Sequence, residues 1–425
     1  MSAAASVNER AQPRALPRTP TLIAAALALT GIATFFYGLS TDAETTWRAF
    51  HVNYLYFGGV AQGGIVFSAA MVIIGARWAG PLQRISEALG AWVPITFLLG
   101  IASIAGGSHI YPWIDHPIEM KAAWLNPTRM YVMDLAVLGV LALLTITWLK
   151  TRARTTLQGI EGQGAVKGLI EGWTKNWRGD SEEAEAQSQR LKVLAPVICI
   201  VYAAGWSLIA FDQMMSLEPM WFSNLFGAFF AWGGLLCAVT FTTMLAVLHR
   251  NYPGLEGEVS QARLHDLGKM IFAFSIFWMY LFFAQYLVIW YGNLPEETMW
   301  FQHRLGTEFL QSTWYFEGWW DRIQEPYVRL TLLAWICIWV VPFWFLLGQK
   351  PKKTYWFVSS VAFVSAFGFW LERNVMAWPA WVPEETLAPF GWIQTGVALG
   401  FLGAFALVFL VYTRVFPSLA VPHKD

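Results

Sequence analysis

Charged residues and cysteines are both scarce in this chain of 425 residues. Asp, Glu, Lys and Arg together make up only 13% of it, whereas hydrophobic residues make up 56%. So little charge excludes an ordinary soluble domain and indicates an integral membrane protein. The three cysteines, Cys199, Cys237 and Cys337, are far apart and form neither a C-x-x-C nor a C-x-x-C-H motif. This spacing argues against covalent haem or iron–sulfur ligation by the chain.

Familiar cofactor motifs are missing as well. The sequence contains no G-x-x-x-x-G-K-[ST] loop, no H-E-x-x-H motif and no glycine-rich dinucleotide turn. These motifs bind phosphates, catalytic zinc and dinucleotide cofactors, respectively. We therefore expect any redox centre that works with this chain to belong to a partner protein.

What the chain does contain is a series of long apolar stretches, each of about 20 residues, which is enough to cross a hydrocarbon core of about 30 Å as a helix. They lie at 21–39, 51–76, 88–109, 130–149, 193–211, 222–248, 268–291, 328–347, 354–371 and 388–412. Because they are continuously apolar, they differ from barrel strands, which alternate with a period of two. The sequence predicts an all-α integral membrane protein with about ten transmembrane helices.

The distribution of Lys and Arg predicts the orientation. With these boundaries, about 21 of them lie on the side of the two chain ends and about 7 on the other, so the positive-inside rule predicts cytoplasmic termini. The predicted parts are a cytoplasmic tail at 1–20, helices at 21–149, a cytoplasmic loop at 150–192, helices at 193–291, an extracytoplasmic loop at 292–327, helices at 328–412 and a cytoplasmic tail at 413–425.

Protonatable residues gather near the extracytoplasmic ends of the predicted helices. They are His51, His109, Asp134, Asp212, Glu218 and Glu372. Ionisable groups near hydrocarbon are costly unless they are paired, hydrated or functional, so the set is a candidate proton path. Asp212 and Glu218 lie in a short, apolar connection, and burial there is expected to raise the pKa of both carboxyl groups.

His51, His109 and Asp134 are also the candidate quinone-binding residues, because a quinol site needs groups that accept protons beside an apolar groove. His51 and His109 allow three interpretations, namely shared ligation of a b-type haem, proton relay or quinone contact, and ordinary interfacial hydrogen bonding. A smaller polar group, His265, Asp266 and Lys269, lies at the cytoplasmic end of the seventh helix, which later carries Gln285. It is either a proton inlet or a helix start capped by Asp266.

Glycines indicate where helices pack closely. Four of them interrupt the second helix at Gly58, Gly59, Gly63 and Gly64, and three line the tenth at Gly396, Gly400 and Gly403. In lipid such positions allow two backbones to approach each other. Gln62 lies between the first glycines and is expected to need a hydrogen-bond partner from another helix.

Five segments, spread over most of the chain, carry a resemblance to a known family, and those that begin at Asp212 and His265 are long, unusual strings. They are Asn53–Gly64, Arg84–Leu89, His116 with Lys121–Asn126, Asp212–Ser223, and His265–Lys269 with its continuation to Glu297. Together they resemble the NrfD/PsrC-like family of polytopic membrane subunits, and within it the ActF-type subunits of bacterial alternative complex III. The resemblance implies a subunit of a quinol:electron acceptor oxidoreductase in the bacterial cytoplasmic membrane, the acceptor being cytochrome c or an oxidase.

The resemblance also implies two four-helix bundles, helices two to five and six to nine, with the first and last helices at the periphery. Its expected partners are a homologous ActC-type membrane subunit, a multihaem cytochrome c, iron–sulfur subunits and a terminal oxidase, with the lipid bilayer around them and no nucleic acid. Haem c and iron–sulfur clusters would lie on those partners, and this chain would bind no cofactor of its own. Its expected role is scaffold and proton-translocation path.

Two alternatives remain open at this stage. The chain could bind and oxidise quinol itself, through His51, His109 and Asp134. It could instead be a purely structural anchor for extrinsic redox subunits. In that case the acidic residues of the extracytoplasmic loop would form the docking face, namely Glu296, Glu297, Glu308, Glu317 and Asp321.

Overall fold

Ten long helices dominate the computed structural model, which describes residues 14–76, 78–160, 165–252, 255, 257–306, 324–382 and 390–416. They are α1 Arg18–Thr41, α2 Ala43–Ile73, α3 Gly80–Ile110, α4 Pro127–Leu157, α5 Asp180–Leu217, α6 Phe226–Leu248, α7 Gln261–Gly292, α8 Tyr327–Phe345, α9 Tyr355–Trp381 and α10 Trp392–Arg414. Each is long and apolar enough to cross a membrane. No strand occurs among the described residues, so the predicted all-α, ten-helix membrane class is confirmed.

Several helices extend beyond the apolar stretches that predict them. Helix α3 begins at Gly80, and α4 continues to Leu157. Because polar helical turns continue past the hydrocarbon, an apolar window underestimates the helix at both ends. Helix α7 likewise begins at Gln261, where the side chain of Ser260 accepts a hydrogen bond from the backbone N–H of Arg263. The interpretation of Asp266 as the cap of this helix is therefore wrong.

The helices form two bundles, as the resemblance implies. Helices α2 to α5 surround one another in the first bundle, and α6 to α9 form the second. Helix α2 lies at the centre, where it also contacts α6 and α10, and 83% of its most apolar window is buried. Its glycines allow this position: a Cβ on Gly63 would lie 2.5 Å from the carbonyl oxygen of Gly234 on α6.

Helices α1 and α10 pack against each other outside the bundles. A Cβ on Gly31 would lie 2.1 Å from the Cα of Gly400, so the two backbones are nearly in contact. Gly396 and Gly403 also face α1, at Thr34 and Ala28. The close packing predicted for the glycines of the tenth helix is thus confirmed.

Both described ends of the chain lie on one side of the helices. The backbone N–H of Arg14 donates to the carbonyl of Arg414 over 2.8 Å. This side, with the N-terminal end of α1 and the C-terminal end of α10, is called the terminal side below, and the other the opposite side. Among the short helices that the structure describes between the long ones, the two of ten or more residues are Ala165–Thr174 on the terminal side and Pro295–Leu305 on the opposite side.

Candidate functional site

Two buried aspartates meet at the opposite side of the first bundle. Asp134 on α4 and Asp212 on α5 are each only 1% exposed. Arg129, five residues before Asp134 on α4, donates from Nη2 to Asp212 Oδ1 over 2.5 Å. Gln213 donates from Nε2 to Asp134 Oδ2 over 2.8 Å. One cation thus faces two carboxyl groups, which we call the acid pair.

The two members of the acid pair also contact each other through their side chains. One oxygen of each, Asp134 Oδ1 and Asp212 Oδ2, is buried and has no donor among the described residues. Two carboxylates cannot satisfy each other because both only accept, whereas a carboxylic acid can donate to a carboxylate. The geometry therefore suits one proton held between the two groups.

His51 on α2 joins the acid pair through Gln213. Its Nε2 lies 2.7 Å from the carbonyl oxygen of Gln213. Since a carbonyl only accepts, we assign the ring proton to Nε2, which leaves Nδ1 as an acceptor. Nδ1 is buried and has no partner within the described residues. The ring is enclosed by Tyr111 and Trp381, with centroids 5.6 and 6.1 Å away.

Tyrosine hydroxyls complete the cluster. Tyr54 and Tyr131 lie near Asp134, and Tyr54 also lies near Gln213. Six buried polar atoms here have no partner in the part of the chain that the structure describes: His51 Nδ1, Tyr54 OH, Tyr131 OH, Asp134 Oδ1, Asp212 Oδ2 and Gln213 Oε1. Buried polar groups in proteins are normally satisfied, so this concentration is the arrangement expected of a site that holds internal water or a polar ligand.

His109 lies outside the cluster. Its backbone carbonyl accepts a hydrogen bond from Arg48 Nε over 3.2 Å. No hydrogen bond or ring contact joins its imidazole to His51 or Asp134 among the described residues. Of the three candidate quinone-binding residues, the structure therefore brings two together and leaves His109 apart.

Glu218 forms an ion pair with Arg304. Its Oε1 accepts from Arg304 Nη1 over 2.8 Å, and His303 lies 3.9 Å from its Oε2. Burial alone would raise the pKa of Glu218, but the positive charge and hydrogen bond of Arg304, together with the nearby His303, outweigh it and lower the pKa. The expected upward shift is wrong for this residue, because the sequence did not reveal its guanidinium partner.

Glu372 and Gln285 belong to the second bundle. Glu372 is 5% exposed; its Oε1 accepts from Trp278 Nε1 and its Oε2 lies 3.1 Å from Arg373 Nη1. Together with Trp335 and other aromatic side chains, it lines a small cavity of about 40 Å³. Gln285 accepts from Ser223 over 2.9 Å. Both residues are separated from the acid pair by the boundary between the bundles.

The group at the start of α7 lies on the terminal side. Lys269 Nζ is 2.6 Å from Asp266 Oδ1, and His265 Nδ1 is 3.9 Å from the same oxygen. All three side chains are partly exposed. Helix α7 is part of the second bundle, so this group does not lie beneath the acid pair.

The carboxylate that does lie in the first bundle at the terminal side is Glu87. It is 3% exposed and accepts from Ser68 Oγ, Trp148 Nε1 and Arg152 Nε over 2.7, 3.3 and 2.6 Å. Arg84 is 3.9 Å from its second oxygen. Sequence reasoning missed this site because the predicted third helix began at residue 88, which placed Glu87 in a loop. The buried Arg84 and Glu87, one helical turn apart, were the available signal.

Gln62 lies on α2 between these two polar regions. It is 3% exposed, and neither its Nε2 nor its Oε1 has a partner among the described residues. The expected partner from a neighbouring helix is therefore not a side chain or backbone group that the structure describes. An unpaired buried amide in mid-membrane is costly unless water reaches it.

Comparison of the chain with models of known protein families and with curated proteins gives no match. Within the described residues, no three or more His, Cys, Asp or Glu side chains are grouped so as to hold a metal ion. Of the acidic residues considered for docking, Glu296 and Glu297 begin the helix Pro295–Leu305. Glu308, Glu317 and Asp321 lie outside the described residues.

Proposed function

We propose that this chain is a membrane subunit of a respiratory quinol:electron acceptor oxidoreductase of the alternative complex III type, and that its first bundle carries protons. Electrons pass through haem c and iron–sulfur centres on partner subunits. The observation that carries the proposal is the acid pair, Asp134 and Asp212, buried with one cation and with unsatisfied polar atoms around it. Such acids within a membrane helix bundle mark proton relays or ligand sites.

The proposed route follows α2 through the first bundle. Protons enter from the terminal side at Ser68, whose hydroxyl donates to the ion-paired carboxylate of Glu87. Water hydrogen-bonded to Gln62 carries them through the middle, towards the hydroxyl of Tyr54. The acid pair receives them and releases them on the opposite side. The excess of Lys and Arg on the terminal side supports cytoplasmic uptake and extracytoplasmic release.

Asparagine in place of either aspartate of the acid pair tests the route. Asp134→Asn keeps the size of the side chain, an acceptor for Gln213 and a donor for Asp212, but it cannot share a proton. In the intact complex in liposomes, we expect proton release to be at least about a hundredfold slower than in the wild type, the lower end of the usual loss for a general acid–base group. Asp115→Asn removes an exposed carboxylate on the same side and should leave release unchanged.

Unaltered quinol turnover and proton release in both Asp134→Asn and Asp212→Asn would end the proton-path proposal. His265→Ala and Asp266→Asn test the alternative proton inlet at the start of α7, in the second bundle. Both should leave proton uptake unchanged. If they block uptake while Ser68→Ala does not, the inlet belongs to α7 and the route through Ser68 is wrong.

Gln62→Leu separates transport from stability, because the two respond in opposite directions. Leucine fills a similar volume and removes an amide, with its water, from the apolar middle of the membrane, so the free energy of unfolding should rise by about 1–2 kcal/mol. Proton release should nevertheless fall, since the water near the middle of the route loses its partner. Denaturant unfolding in mixed micelles and proton release in liposomes measure the two effects. A stabilised variant with normal release would show that Gln62 is not on the route.

Quinol binding at the same cluster is the second candidate function. It is favoured by the unpaired His51 Nδ1 and Asp134 Oδ1, which could both receive protons from a quinol hydroxyl. A photoreactive quinone analogue added to the intact complex separates the two functions. Labelling of α2 or α4 beside these residues would favour quinol binding here, whereas labelling only of a partner subunit would favour the proton path.

A further inference from the structure

A groove of about 740 Å³ opens on the terminal side between α1, α6 and α10. Its walls are apolar and belong to three helices: Ile23, Leu27, Phe241, Met244, Phe405 and Phe409. Ile23 and Leu248 remain 57% and 58% exposed, so the groove faces the surrounding lipid rather than the bundle interior. A chain of methylene groups is the ligand that such walls accommodate.

Two arginines stand at the polar end of this groove. Arg414 lies over the ring of Tyr252 at 4.4 Å, and Arg14 lies over the same ring at 5.6 Å. His249 and Asn251 line the same end. Neither arginine forms an ion pair with any described Asp or Glu, and the buried Nε of Arg414 has no hydrogen-bond acceptor among the described residues. Within the part of the chain that the structure describes, the groove therefore ends in positive charge that lacks an anion.

The neighbouring groups do not supply that anion. Burial lowers the pKa of His249, a hydrogen bond with the carbonyl of Leu245 partly offsets this, and Arg414 lowers it further. Burial also raises the pKa of Tyr252, against the opposing effect of Arg414 and Arg14. Both rings are thus neutral near pH 7. Counting the described residues, the net charge at this end is that of the two guanidinium groups.

We propose that the groove binds one anionic phospholipid, whose phosphate lies between Arg14 and Arg414 and whose acyl chain follows the apolar walls. Two cations at the interface, an apolar channel below them and an opening to the bilayer match the three parts of such a lipid. A quinone offers no negative charge to the arginines. Guanidinium groups bind phosphate through several donors, and each basic residue near the membrane surface strengthens binding to anionic lipid.

The position of the groove suggests what the lipid does. Helices α1 and α10 form the peripheral pair, and the groove lies where this pair meets α6 of the second bundle. A lipid bound there would join the pair to the bundle across a contact that protein side chains leave open. A ligand that binds only the folded state also raises the stability of the protein.

Native mass spectrometry of the full-length chain in detergent, titrated with phosphatidylglycerol or phosphatidylethanolamine, tests the proposal. We expect one phosphatidylglycerol to bind at least about tenfold more tightly than phosphatidylethanolamine, and Arg14→Gln/Arg414→Gln to remove this preference. Arg18→Gln, an exposed arginine that does not line the groove, is the matched control and should bind as the wild type does. Thermal unfolding should show the same order, with phosphatidylglycerol raising Tm only where both arginines are present.

Ala406→Phe provides an independent variant, because it fills the groove and keeps both arginines. It should lower the affinity for phosphatidylglycerol by about tenfold or more, since the acyl chain loses its channel. Normal binding by this variant would mean that lipid is attracted only to surface charge. That result would overturn the proposal, as would equal affinity for the two lipids or an unchanged preference in the double arginine variant.

Discussion

Arg304→Ala is expected to lower the free energy of unfolding by about 3–5 kcal/mol, the usual cost of removing one partner of a buried ion pair. Arg304 is 2% exposed, and all three nitrogens of its guanidinium group donate hydrogen bonds. It donates to Glu218, to the carbonyl of Trp300 in its own helix, and to the carbonyls of Val375 and Met376 near the end of α9. Its removal would leave four acceptors at this junction without their donor.

Denaturant unfolding in mixed micelles measures this loss. Arg329→Ala is the matched control, because Arg329 is exposed and donates to the carbonyl of Gln324, so it should change the unfolding free energy by less than about 0.5 kcal/mol. Arg304→Lys keeps the charge but cannot reach all four acceptors, and it should fall between the two. A loss below about 1 kcal/mol in Arg304→Ala would show that water replaces the guanidinium.

The same ion pair predicts a pH dependence. The folded pKa of Glu218 is lowered below its ordinary value of 4.5. A carboxyl group with a lowered pKa contributes stability that is fully present above the unfolded pKa and is lost as the pH falls through the folded value. The difference in stability between the wild type and Glu218→Gln should therefore be constant near pH 7 and shrink below about pH 4.5.

Most of the fold was predictable because its signal is local. Ten apolar stretches of sufficient length require ten helices, and the positions of Gly63 and Gly400 identify where helices touch. Helix ends were less predictable, since hydropathy changes at the edge of the hydrocarbon while the helix continues. That difference hid Glu87, which lies seven residues inside α3 but one residue before the predicted helix.

The sequence predicted how deep in the membrane the candidate site residues lie, but not which way their side chains face. Asp134, Asp212, His51 and His109 were all placed correctly near the opposite ends of their helices. Depth follows from counting residues, whereas convergence depends on how each helix is rotated about its axis and which helices are neighbours. His51 faces the acid pair, and His109 does not. The roles of Gln213 and Arg129 depend on the same rotation, so they became visible only in the folded chain.

The electrostatic setting of each carboxyl group likewise depends on its partner in the folded chain. Asp212 and Glu218 lie six residues apart in one connection, and the sequence treats them alike. In the folded chain Asp212 meets a second carboxyl group as well as Arg129, whereas Glu218 meets Arg304 and His303. The acid pair can hold a proton between its two carboxyl groups, whereas the ion pair with Arg304 keeps Glu218 deprotonated. This contrast supports assigning transport to the acid pair and structure to Glu218.

The bundles themselves depend on the contact between α2 and α6, which predicts a second large effect. Gly63→Leu should lower the free energy of unfolding by at least about 3 kcal/mol, at the upper end of the cost of overpacking. A Cβ at this position would lie 2.5 Å from the carbonyl oxygen of Gly234 and 3.0 Å from the Cβ of Ala238. Because the nearest atoms are backbone, no side chain can rotate away, and the helices must separate.

Alanine at the same position should cost about 1–3 kcal/mol, since it introduces the clash without the larger side chain. Gly139→Ala is the matched control on α4, where the new Cβ meets only the ring of Phe97 at 3.4 Å. It should be neutral or slightly stabilising, because alanine favours the helix over glycine by about 1 kcal/mol. If Gly63→Ala and Gly139→Ala were equally stable, the bundles would have to tolerate a wider separation. The route along α2 would then have no fixed geometry, because His51, Gln62 and Ser68 all depend on the position of that helix.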